Sequence, residues 1–363
     1  MKIVIAAWYL KDFNVGIGRY CRGLITGLGQ VDKENEYHVI MPASGYRFPQ
    51  FENVQYHVIR VPPFKRRVWE QVAPQLVGRY DVLHFPHDSS VAWKRGKFVI
   101  TIHDVKPLLF GTLRPRRGLN NFVERLLIPD RQEQADHVLT VSECSRRDII
   151  ERLHFPAERV SVVYPGIDRG QFKPDLSEPS QSTPRPYILC VAGSDPTKNV
   201  ETLLDAFAQL PWELREAHDV VLVGDLRRRQ DVRDRVSQLG IAAQTKFAGM
   251  VDDAQLVSLY QHARVFVFPS RYEGFGFPVL EAMACGCPVI TSNAASLPEV
   301  VGDAALMADP SDSYGFVRHL ERVLVDEELR RLLREKGLDR AAQFSWERTA
   351  QETLRVYERV MQA

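Results

Sequence analysis

Residues 265–291 read VFVFPSRYEGFGFPVLEAMACGCPVIT and carry the clearest structural signal in the chain. The apolar run 265–268 is typical of a buried strand. Pro278 suits the first position of a helix and Gly286 suits its C-terminal cap, so a short helix is predicted from Pro278 to about residue 285. The stretch therefore predicts a strand, a glycine-containing loop and a helix.

The same alternation extends in both directions along the chain. Before residue 174 the sequence predicts strands at residues 3–6, 37–41, 55–61, 81–85, 98–102, 137–141 and 160–164, with helical patterns at 17–28 and 145–153. After residue 186 it predicts strands at 187–192, 220–223, 265–268, 288–291 and 304–307, with helices at 200–210, 253–262 and 346–361. Strands that alternate with helices favour an α/β fold with parallel sheets. We therefore predict two doubly wound, Rossmann-like domains in tandem.

A segment rich in proline and serine separates the two halves. Residues 174–186 contain four prolines and three serines, which is the composition of a linker. A chain of 363 residues is expected to hold two domains at roughly 150 residues each. The predicted boundaries are 1–173, 187–345 and a terminal helical segment at 346–363. Ligands of doubly wound sheets bind beyond the carboxyl ends of the strands, so the loops there are the candidate sites.

The charge of the chain is balanced overall but unevenly distributed. There are 47 Lys+Arg and 46 Asp+Glu, which excludes the uniformly basic composition of a nucleic-acid-binding protein. Residues 1–180 carry a net charge of +6, and the remainder carries −5. Basic clusters at 65–67, 94–97 and 114–117 fit either a solvated face or contact with an anionic surface or substrate. Five scattered cysteines favour the reducing cytoplasm, and no apolar run is long enough for a membrane span.

The loop between strand 265–268 and the next helix has the residue types of a ligand site. Gly274 and Gly276 allow the backbone to approach a ligand closely, and the amides at a helix start favour an anion such as phosphate. Glu273 and Glu281 would repel a phosphate, but their carboxylates accept hydrogen bonds from sugar hydroxyls. A solvated loop would explain either glutamate alone but not the whole string. The sequence therefore predicts a nucleotide-sugar site.

The spacing of these glutamates is similar to a known motif. Seven residues separate Glu273 from Glu281, and the string resembles the E-x7-E motif of the retaining family 4 (group 1) glycosyltransferases. The likeness runs from residue 3 to the terminal helix and includes Asn14–Tyr20, Trp69–Gln71, Ile102–Asp104, Pro107, Val141–Ser142, Ser145, Tyr164–Asp168, Lys198–Asn199 and Leu297–Val300. The branch it most resembles contains mannosyl- and glucosyltransferases of bacterial surface polysaccharides. The resemblance implies the GT-B fold, in which two Rossmann-like domains face a cleft. It also implies that residues 1–173 bind the acceptor, that 187–345 bind the nucleotide sugar, and that the terminal helix crosses back to the N-terminal domain.

The resemblance implies roles for individual residues. Glu273 would bind hydroxyls of the donor sugar, Glu281 the ribose hydroxyls, and Lys198 the leaving diphosphate. The implied catalytic residues are His103, Lys198 and Glu273. The implied donor-binding residues are Gly16, Gly193, Ser194, Lys198, Glu273, Gly274, Phe275, Gly276, Phe277, Val279, Leu280 and Glu281, with the amides near Val279 and Leu280 on the diphosphate. His103 would contact the donor sugar or the acceptor, and the alternative for this residue is pairing with Asp104.

One departure from the family pattern concerns the diphosphate. Many family members carry an arginine a few residues before the lysine, whereas this chain reads GSDPTKN at 193–199. Asp195 suits a turn or an N-cap instead. Arg271, or one residue of the run 227–229, is the candidate substitute for the missing charge.

These residues together predict a retaining hexosyltransferase. It would move mannose or glucose from a GDP- or UDP-sugar, with GDP-mannose as the expected donor, to a saccharide or lipid-linked acceptor. No DxD pair and no His/Cys cluster with metal spacing is found, so metal-independent catalysis with no cofactor is expected. The expected location is cytoplasmic, with peripheral contact at the inner face of the membrane through the basic N-terminal domain. The alternatives are a non-catalytic partner subunit with the same fold and an epimerase or phosphorylase-like enzyme on that scaffold.

Overall fold

The computed structural model describes residues 1–12, 16–43, 48–59, 66–91, 93–110, 134–175, 185–227 and 229–363. They form two compact units. The first unit comprises Met1–Gly166 together with Phe344–Ala363, and the second comprises Ile167–Gln343. Of the sequence features above, residues 14–15, Lys65, 114–117, 176–184 and Arg228 lie outside the described residues.

The first unit contains a seven-stranded parallel sheet. Its strands are β1 (Lys2–Ala6), β2 (Glu36–Met41), β3 (Val54–Val58), β4 (Val82–Phe85), β5 (Lys97–Ile102), β6 (His137–Thr140) and β7 (Val160–Val162), in the order β3-β2-β1-β4-β5-β6-β7. Its described α-helices include α1 (Gly16–Val31), α2 (Arg66–Val72), α3 (Lys106–Leu109) and α4 (Glu143–Leu153). The strand order reverses between β1 and β4, which is the switch point of a doubly wound sheet. Central strands such as β1 are nearly continuous apolar runs because both faces of the sheet are covered.

The second unit repeats this architecture. Its parallel strands are β8 (Tyr187–Val191), β9 (Asp219–Val223), β10 (Thr245–Gly249), β11 (Val265–Phe268), β12 (Val289–Ser292) and β13 (Leu306–Ala308), in the order β10-β9-β8-β11-β12-β13. The described helices are α5 (Val200–Ala208), α6 (Trp212–Ala217), α7 (Gln230–Gln238), α8 (Asp253–His262), α9 (Phe277–Ala284), α10 (Leu297–Val301), α11 (Ser313–Val325) and α12 (Glu327–Ala341). The switch point lies between β8 and β11. The predicted α/β fold of two doubly wound parallel sheets is confirmed.

The last helix, α13 (Trp346–Gln362), belongs to the first unit and packs against α1. The close approach depends on glycines of α1. A Cβ added at Gly23 would lie 2.0 Å from the Trp346 ring, and one added at Gly27 would lie 2.4 Å from the Trp346 carbonyl oxygen. The buried Tyr357 hydroxyl lies 2.6 Å from Nδ1 of His84, so α13 also reaches the central strand β4.

The change from the first to the second unit occurs earlier than the linker composition indicates. It lies between Gly166 and Ile167, whereas the proline- and serine-rich segment begins at residue 174. Two observations explain why the residues between belong to the second unit. Phe172 is buried, and Gln261 of α8 donates a hydrogen bond of 2.7 Å to the carbonyl oxygen of Lys173.

Candidate active site

Two loops meet at the switch point of the second sheet. The loop after β8 leads into a short 3₁₀ helix, Pro196–Lys198, and the loop after β11 leads into α9. The Arg271 amide donates to the Thr197 carbonyl oxygen at 2.8 Å. Asn199, in a left-handed conformation with φ of 56°, donates from Nδ2 to the carbonyl oxygens of Pro269 and Pro310 at 2.9 and 2.8 Å. Buried amide donors of this kind fix the two loops relative to each other.

These fixed loops bring Lys198 and Glu273 into direct contact. Lys198 Nζ lies 2.8 Å from Glu273 Oε1 and 3.0 Å from Oε2. The Ser270 hydroxyl donates to Glu273 Oε1 at 2.5 Å, and Lys198 Nζ lies 5.0 Å from the centroid of the Phe268 ring. The side chains are 23% and 12% exposed for Lys198 and Glu273. When a ligand binds, this half-buried ion pair can separate. The ammonium can then bind an anion of the ligand, and the carboxylate can accept hydrogen bonds from its hydroxyl groups.

The backbone from Glu273 to Gly276 is held from one side by Ser296. The Ser296 hydroxyl lies 3.0 Å from the Glu273 carbonyl oxygen and 2.6 Å from that of Phe275. Gly276 has φ of +114°, and a Cβ there would lie 2.9 Å from a methyl group of Leu297. Only glycine adopts this conformation without strain, which explains the second glycine of the loop.

Helix α9 begins at Phe277, one residue before the predicted start, so Pro278 occupies its second position. It ends in a Schellman motif, in which the Gly286 amide donates to Met283 and the Cys287 amide to Ala282. The Val279 and Leu280 amides both donate to the Gly276 carbonyl oxygen, at 3.2 and 3.4 Å. These two amides are therefore already hydrogen-bonded within the first turn of the helix. Their predicted contact with a diphosphate requires these long hydrogen bonds to break.

Glu281 lies on the buried face of α9. Its side chain is almost completely inaccessible, and the Tyr260 hydroxyl of α8 donates to Oε2 at 3.2 Å. Burial and the neighbouring Glu281 carboxylate raise the pKa of Cys285 to about 12, so this thiol stays protonated. Cys285 and Cys287 are both buried free thiols.

In the segment where many family members carry the diphosphate arginine, this chain forms a helix N-cap. Asp195 Oδ1 accepts hydrogen bonds from the Thr197 amide at 3.0 Å and from the Thr197 hydroxyl at 2.8 Å, so Asp195 is the N-cap of the 3₁₀ helix, as predicted. Next to it, Ser194 is exposed, and a Cβ at Gly193 would meet nothing within 4 Å. The start of this loop is therefore open to a ligand.

The candidate substitutes for the missing arginine differ in availability. Arg229 is buried and paired with Glu201 and Asp231, and Arg227 pairs with Asp225 at 2.8 Å. Arg271 is exposed, and its backbone is fixed on Thr197, directly before Lys198 in the chain. Arg271 is therefore the substitute that the structure favours.

His103 follows β5 in the first unit. Its Nε2 donates to the Pro86 carbonyl oxygen at 3.0 Å, and the Tyr20 ring packs edge-on against it at 4.8 Å. The Asp104 carboxylate accepts a hydrogen bond from the Lys106 amide at 2.9 Å. Burial lowers the pKa of His103 to about 4, so the imidazole is neutral at neutral pH. Gly16 is the first residue of α1 and is exposed.

The sequence did not identify several residues that hold this chemistry in place. In the second unit these are Ser270, Ser296 and Tyr260, described above. In the first unit a buried carboxylate, Glu70, accepts hydrogen bonds from His87 Nε2 at 2.6 Å and from the Ser89 hydroxyl at 2.7 Å. Glu70 stands in the quoted motif Trp69–Gln71 and also pairs with Arg66, one turn earlier on α2, at 3.1 Å. The partners His87 and Ser89 come from a different loop, so only the fold reveals that part of the network.

Among the residues that the structure describes, no three His, Cys, Asp or Glu side chains are grouped closely enough to hold a metal ion. No helix in the same described ranges has the length and apolar character needed to cross a membrane.

Both halves of the chain match known glycosyltransferase families. Residues 15–171 match the family described as Glycosyltransferase Family 4, and residues 172–340 match the one described as Glycosyl transferases group 1. An O-antigen chain mannosyltransferase B of Escherichia coli is 33% identical over 98% of this chain and 99% of its own length.

Solved structures share the fold at lower identity. A sucrose-phosphate synthase from Thermosynechococcus elongatus superposes with a TM-score of 0.73 at 22% identity over 99% of both chains. The Anabaena protein HepE, solved with UDP and glucose, superposes with a TM-score of 0.72 at 20% identity over 99% of both chains. The mannosyltransferase relative gives no support to an epimerase, a phosphorylase or a non-catalytic subunit. The chain is an enzyme of the two-domain GT-B fold, and it belongs to the group 1 (family 4) glycosyltransferases.

Proposed function

We propose that this glycosyltransferase moves a hexose, mannose in the first place, from GDP-mannose to a saccharide or lipid-linked acceptor during surface polysaccharide synthesis. The similarity to the Escherichia coli O-antigen chain mannosyltransferase B supports mannose and a polysaccharide acceptor. The observation that carries the proposal is the contact of Lys198 with Glu273 at the switch point of the second sheet. One cation and one carboxylate side by side suit the diphosphate and the adjoining sugar of a nucleotide sugar.

Donor binding exchanges this ion pair for two ligand contacts. The Lys198 ammonium turns to the diphosphate, whose charge exceeds that of a single carboxylate. Glu273 then accepts hydrogen bonds from the sugar hydroxyls while Ser270 keeps one of its oxygens in place. Glu281, held by Tyr260, accepts from the ribose hydroxyls, and Arg271 supplies the second positive charge on the diphosphate.

The transfer itself needs charge stabilisation more than a basic side chain. The bond between the anomeric carbon and the diphosphate oxygen breaks, and the acceptor oxygen forms its bond on the same face. The acceptor hydroxyl gives its proton to the departing diphosphate, so the configuration is retained. Lys198 stabilises the negative charge that develops on the leaving group, which is usually the largest single contribution to catalysis. His103, being neutral, contributes a hydrogen bond to the donor sugar or the acceptor, and Gly16 allows a close approach of the backbone.

We also propose that the enzyme is independent of metal ions and acts in the cytoplasm. The diphosphate is stabilised by side chains and amides without a metal ion, so activity is expected to persist with a chelator present. The enzyme acts in the cytoplasm, at the inner face of the membrane when its acceptor is lipid-linked.

A melting-temperature screen tests the donor assignment. The wild type and Glu273→Gln are each heated with GDP-mannose, UDP-glucose, UDP-N-acetylglucosamine, GDP and UDP, with the exposed Glu328→Gln as the control. A ligand at 100 times its dissociation constant stabilises by about 2.7 kcal/mol. The wild type and the control should respond more to GDP-mannose than to GDP, and Glu273→Gln should respond equally to both. A response confined to uridine nucleotides would refute GDP-mannose as the donor, and no response to any of them would refute the nucleotide-sugar site.

A further inference from the structure

One face of the first unit exposes a row of apolar side chains. Helix α2 continues directly into a 3₁₀ helix, Ala73–Val77, so both form one helical rod. Val68, Val72 and Leu76 are spaced four residues apart along it and are 39, 48 and 65% exposed. The intervening residues 69–70 and 73–74 are buried, so the three exposed side chains lie on the outward side of this segment. Apolar side chains that are contiguous and exposed mark an interaction surface more often than single ones do.

A neighbouring loop adds a tryptophan to this row. The loop after β4 runs alongside the helical rod and is fastened to it. Gln71 Nε2 donates to the Ser90 carbonyl oxygen at 2.6 Å, and Gln75 Nε2 donates to that of Trp93 at 3.1 Å. Trp93 is therefore held beside Gln75, next to Leu76, and its side chain is 71% exposed. We call Val68, Val72, Leu76 and Trp93 the apolar row.

A positively charged cavity lies at the end of this row. It has a volume of about 470 Å³, and Lys2, Arg79, Tyr80, Asp81 and Arg95 line it. Lys2 Nζ donates to the Val77 carbonyl oxygen at 3.3 Å, and Arg95 Nη1 donates to that of Gly78 at 3.4 Å. Because Val77 and Gly78 directly follow Leu76, the cavity adjoins the row.

The cavity carries more positive than negative charge. Three of its five lining residues are cations and only Asp81 is an anion. Arg79 and Arg95 are exposed to solvent. Of the charged residues nearby, Lys94 pairs with Asp136 at 2.8 Å, and Asp88 lies at the opposite end of the rod, 3.9 Å from Arg66. An excess of cations therefore remains beside the tryptophan end of the row.

We propose that the apolar row and the cavity dock the first unit on an anionic lipid bilayer. Trp93 and Leu76 enter the interfacial region, where tryptophan has both its apolar ring and its polar N–H satisfied. Arg79, Arg95 and Lys2 contact the lipid phosphates. Apolar insertion combined with cations gives the two signals that stable but reversible membrane attachment needs. The cations beside the row favour an anionic bilayer over an apolar partner protein. This inference gives the proposed peripheral location its surface, and it can be tested without transferase activity.

Vesicle sedimentation at low salt tests the docking surface. The probes are vesicles of phosphatidylglycerol with phosphatidylcholine and vesicles of phosphatidylcholine alone. The variants are Trp93→Ala, Leu76→Asp and the double variant Arg79→Ala with Arg95→Ala. Trp212→Ala is the matched control for the tryptophan because Trp212 is 62% exposed and belongs to the second unit, and Arg355→Ala is the control for the arginines. All changes are at exposed positions, and equal melting temperatures establish that the variants are folded.

The wild type and both controls should bind the anionic vesicles and not the neutral ones. Each variant should weaken binding by about tenfold, and the double variant by more, since one cation near an anionic surface changes affinity about fivefold. Brominated lipids locate the contact because they quench the fluorescence of a tryptophan that enters the bilayer. They should quench the wild type and Trp212→Phe to the same extent, and Trp93→Phe should show less quenching.

Three results would overturn the docking surface. The first is a wild type that ignores anionic vesicles. The second is unchanged binding in Leu76→Asp and Trp93→Ala. The third is a wild-type dimer that Leu76→Asp dissociates without any vesicle binding, which would assign the row to a second copy of the chain. None of them affects the melting response to nucleotide sugars, so failure of the surface and failure of the proposed function are distinguishable.

Discussion

Replacing Lys198 by alanine separates a catalytic contribution from a structural one. The substitution removes the ammonium that lies 2.8 and 3.0 Å from the two oxygens of Glu273. Glu273 keeps the Ser270 hydroxyl, and both members of the pair retain some solvent contact. The loss of folding stability should therefore be about 1 kcal/mol, the upper range for a pair with access to solvent. A unit of this size would then melt roughly 2–4 °C lower.

The effect on transfer should be much larger. Removing one preorganised charge or donor from the position where negative charge develops lowers the rate by about 100- to 1,000-fold. That range corresponds to about 2.7 to 4 kcal/mol of transition-state stabilisation. The loss should appear in kcat, because Lys198 meets the diphosphate most strongly when the bond to the sugar is breaking.

The assay is the initial rate of GDP release from GDP-mannose with an acceptor present, alongside thermal unfolding followed by circular dichroism. Lys336→Ala is the matched control: it removes an ammonium 2.6 Å from an Asp303 oxygen in the same unit. It should leave the rate unchanged. A Lys198→Ala rate within threefold of the wild type, or an equal loss of activity in Lys336→Ala, would refute a catalytic role for Lys198.

The remaining predictions concern the ribose contact, the terminal helix and pH. Glu281→Gln should weaken GDP binding by about tenfold in calorimetry, because a charge-assisted hydrogen bond is lost, and Tyr260→Phe should weaken it less; equal affinities in all three proteins would contradict the ribose role. Gly23→Val should lower the melting temperature through its clash with Trp346, at a cost of about 1–3 kcal/mol, and an unchanged melting temperature would contradict the packing. Burial lowers the pKa of His84 to about 3, whereas an unfolded histidine titrates near about 6.5. As the pH falls, the unfolded chain therefore takes up the proton before the folded one does. The contribution of His84 to the free energy of unfolding is complete above about pH 6.5, and it falls by about 3 kcal/mol by about pH 4.5. His84→Gln should flatten the slope of unfolding free energy against pH in that range, and an unchanged slope would contradict the assignment.

Local patterns were sufficient for the elements of the central stretch. Strand β11 has the predicted bounds, and α9 differs from prediction by one residue at each end. The reason is that the signals are local: a buried strand is a continuous apolar run, and proline and glycine mark the two ends of the helix. The repeated alternation of strands and helices was likewise enough to predict two doubly wound sheets.

The sequence patterns did not predict the contacts between distant parts of the chain. The contact of Lys198 with Glu273 exists because β8 and β11 are neighbours at the switch point, although the two residues are 75 positions apart in the sequence. The partner of His103 Nε2 is a backbone carbonyl of another loop, so no residue type in the sequence could indicate it. The engagement of the Val279 and Leu280 amides depends on the left-handed Gly276, which sets the start of the helix one residue earlier.

The proposed reaction is hexosyl transfer from a nucleotide sugar with retained configuration. The most direct measurement is the anomeric configuration, by nuclear magnetic resonance, of the product made from GDP-α-mannose and a mannose-terminated saccharide. Retaining transfer predicts an α-mannoside, one GDP released for each sugar transferred, and no product with Glu273→Gln. A β-mannoside, or GDP released without any glycosylated acceptor, would contradict it.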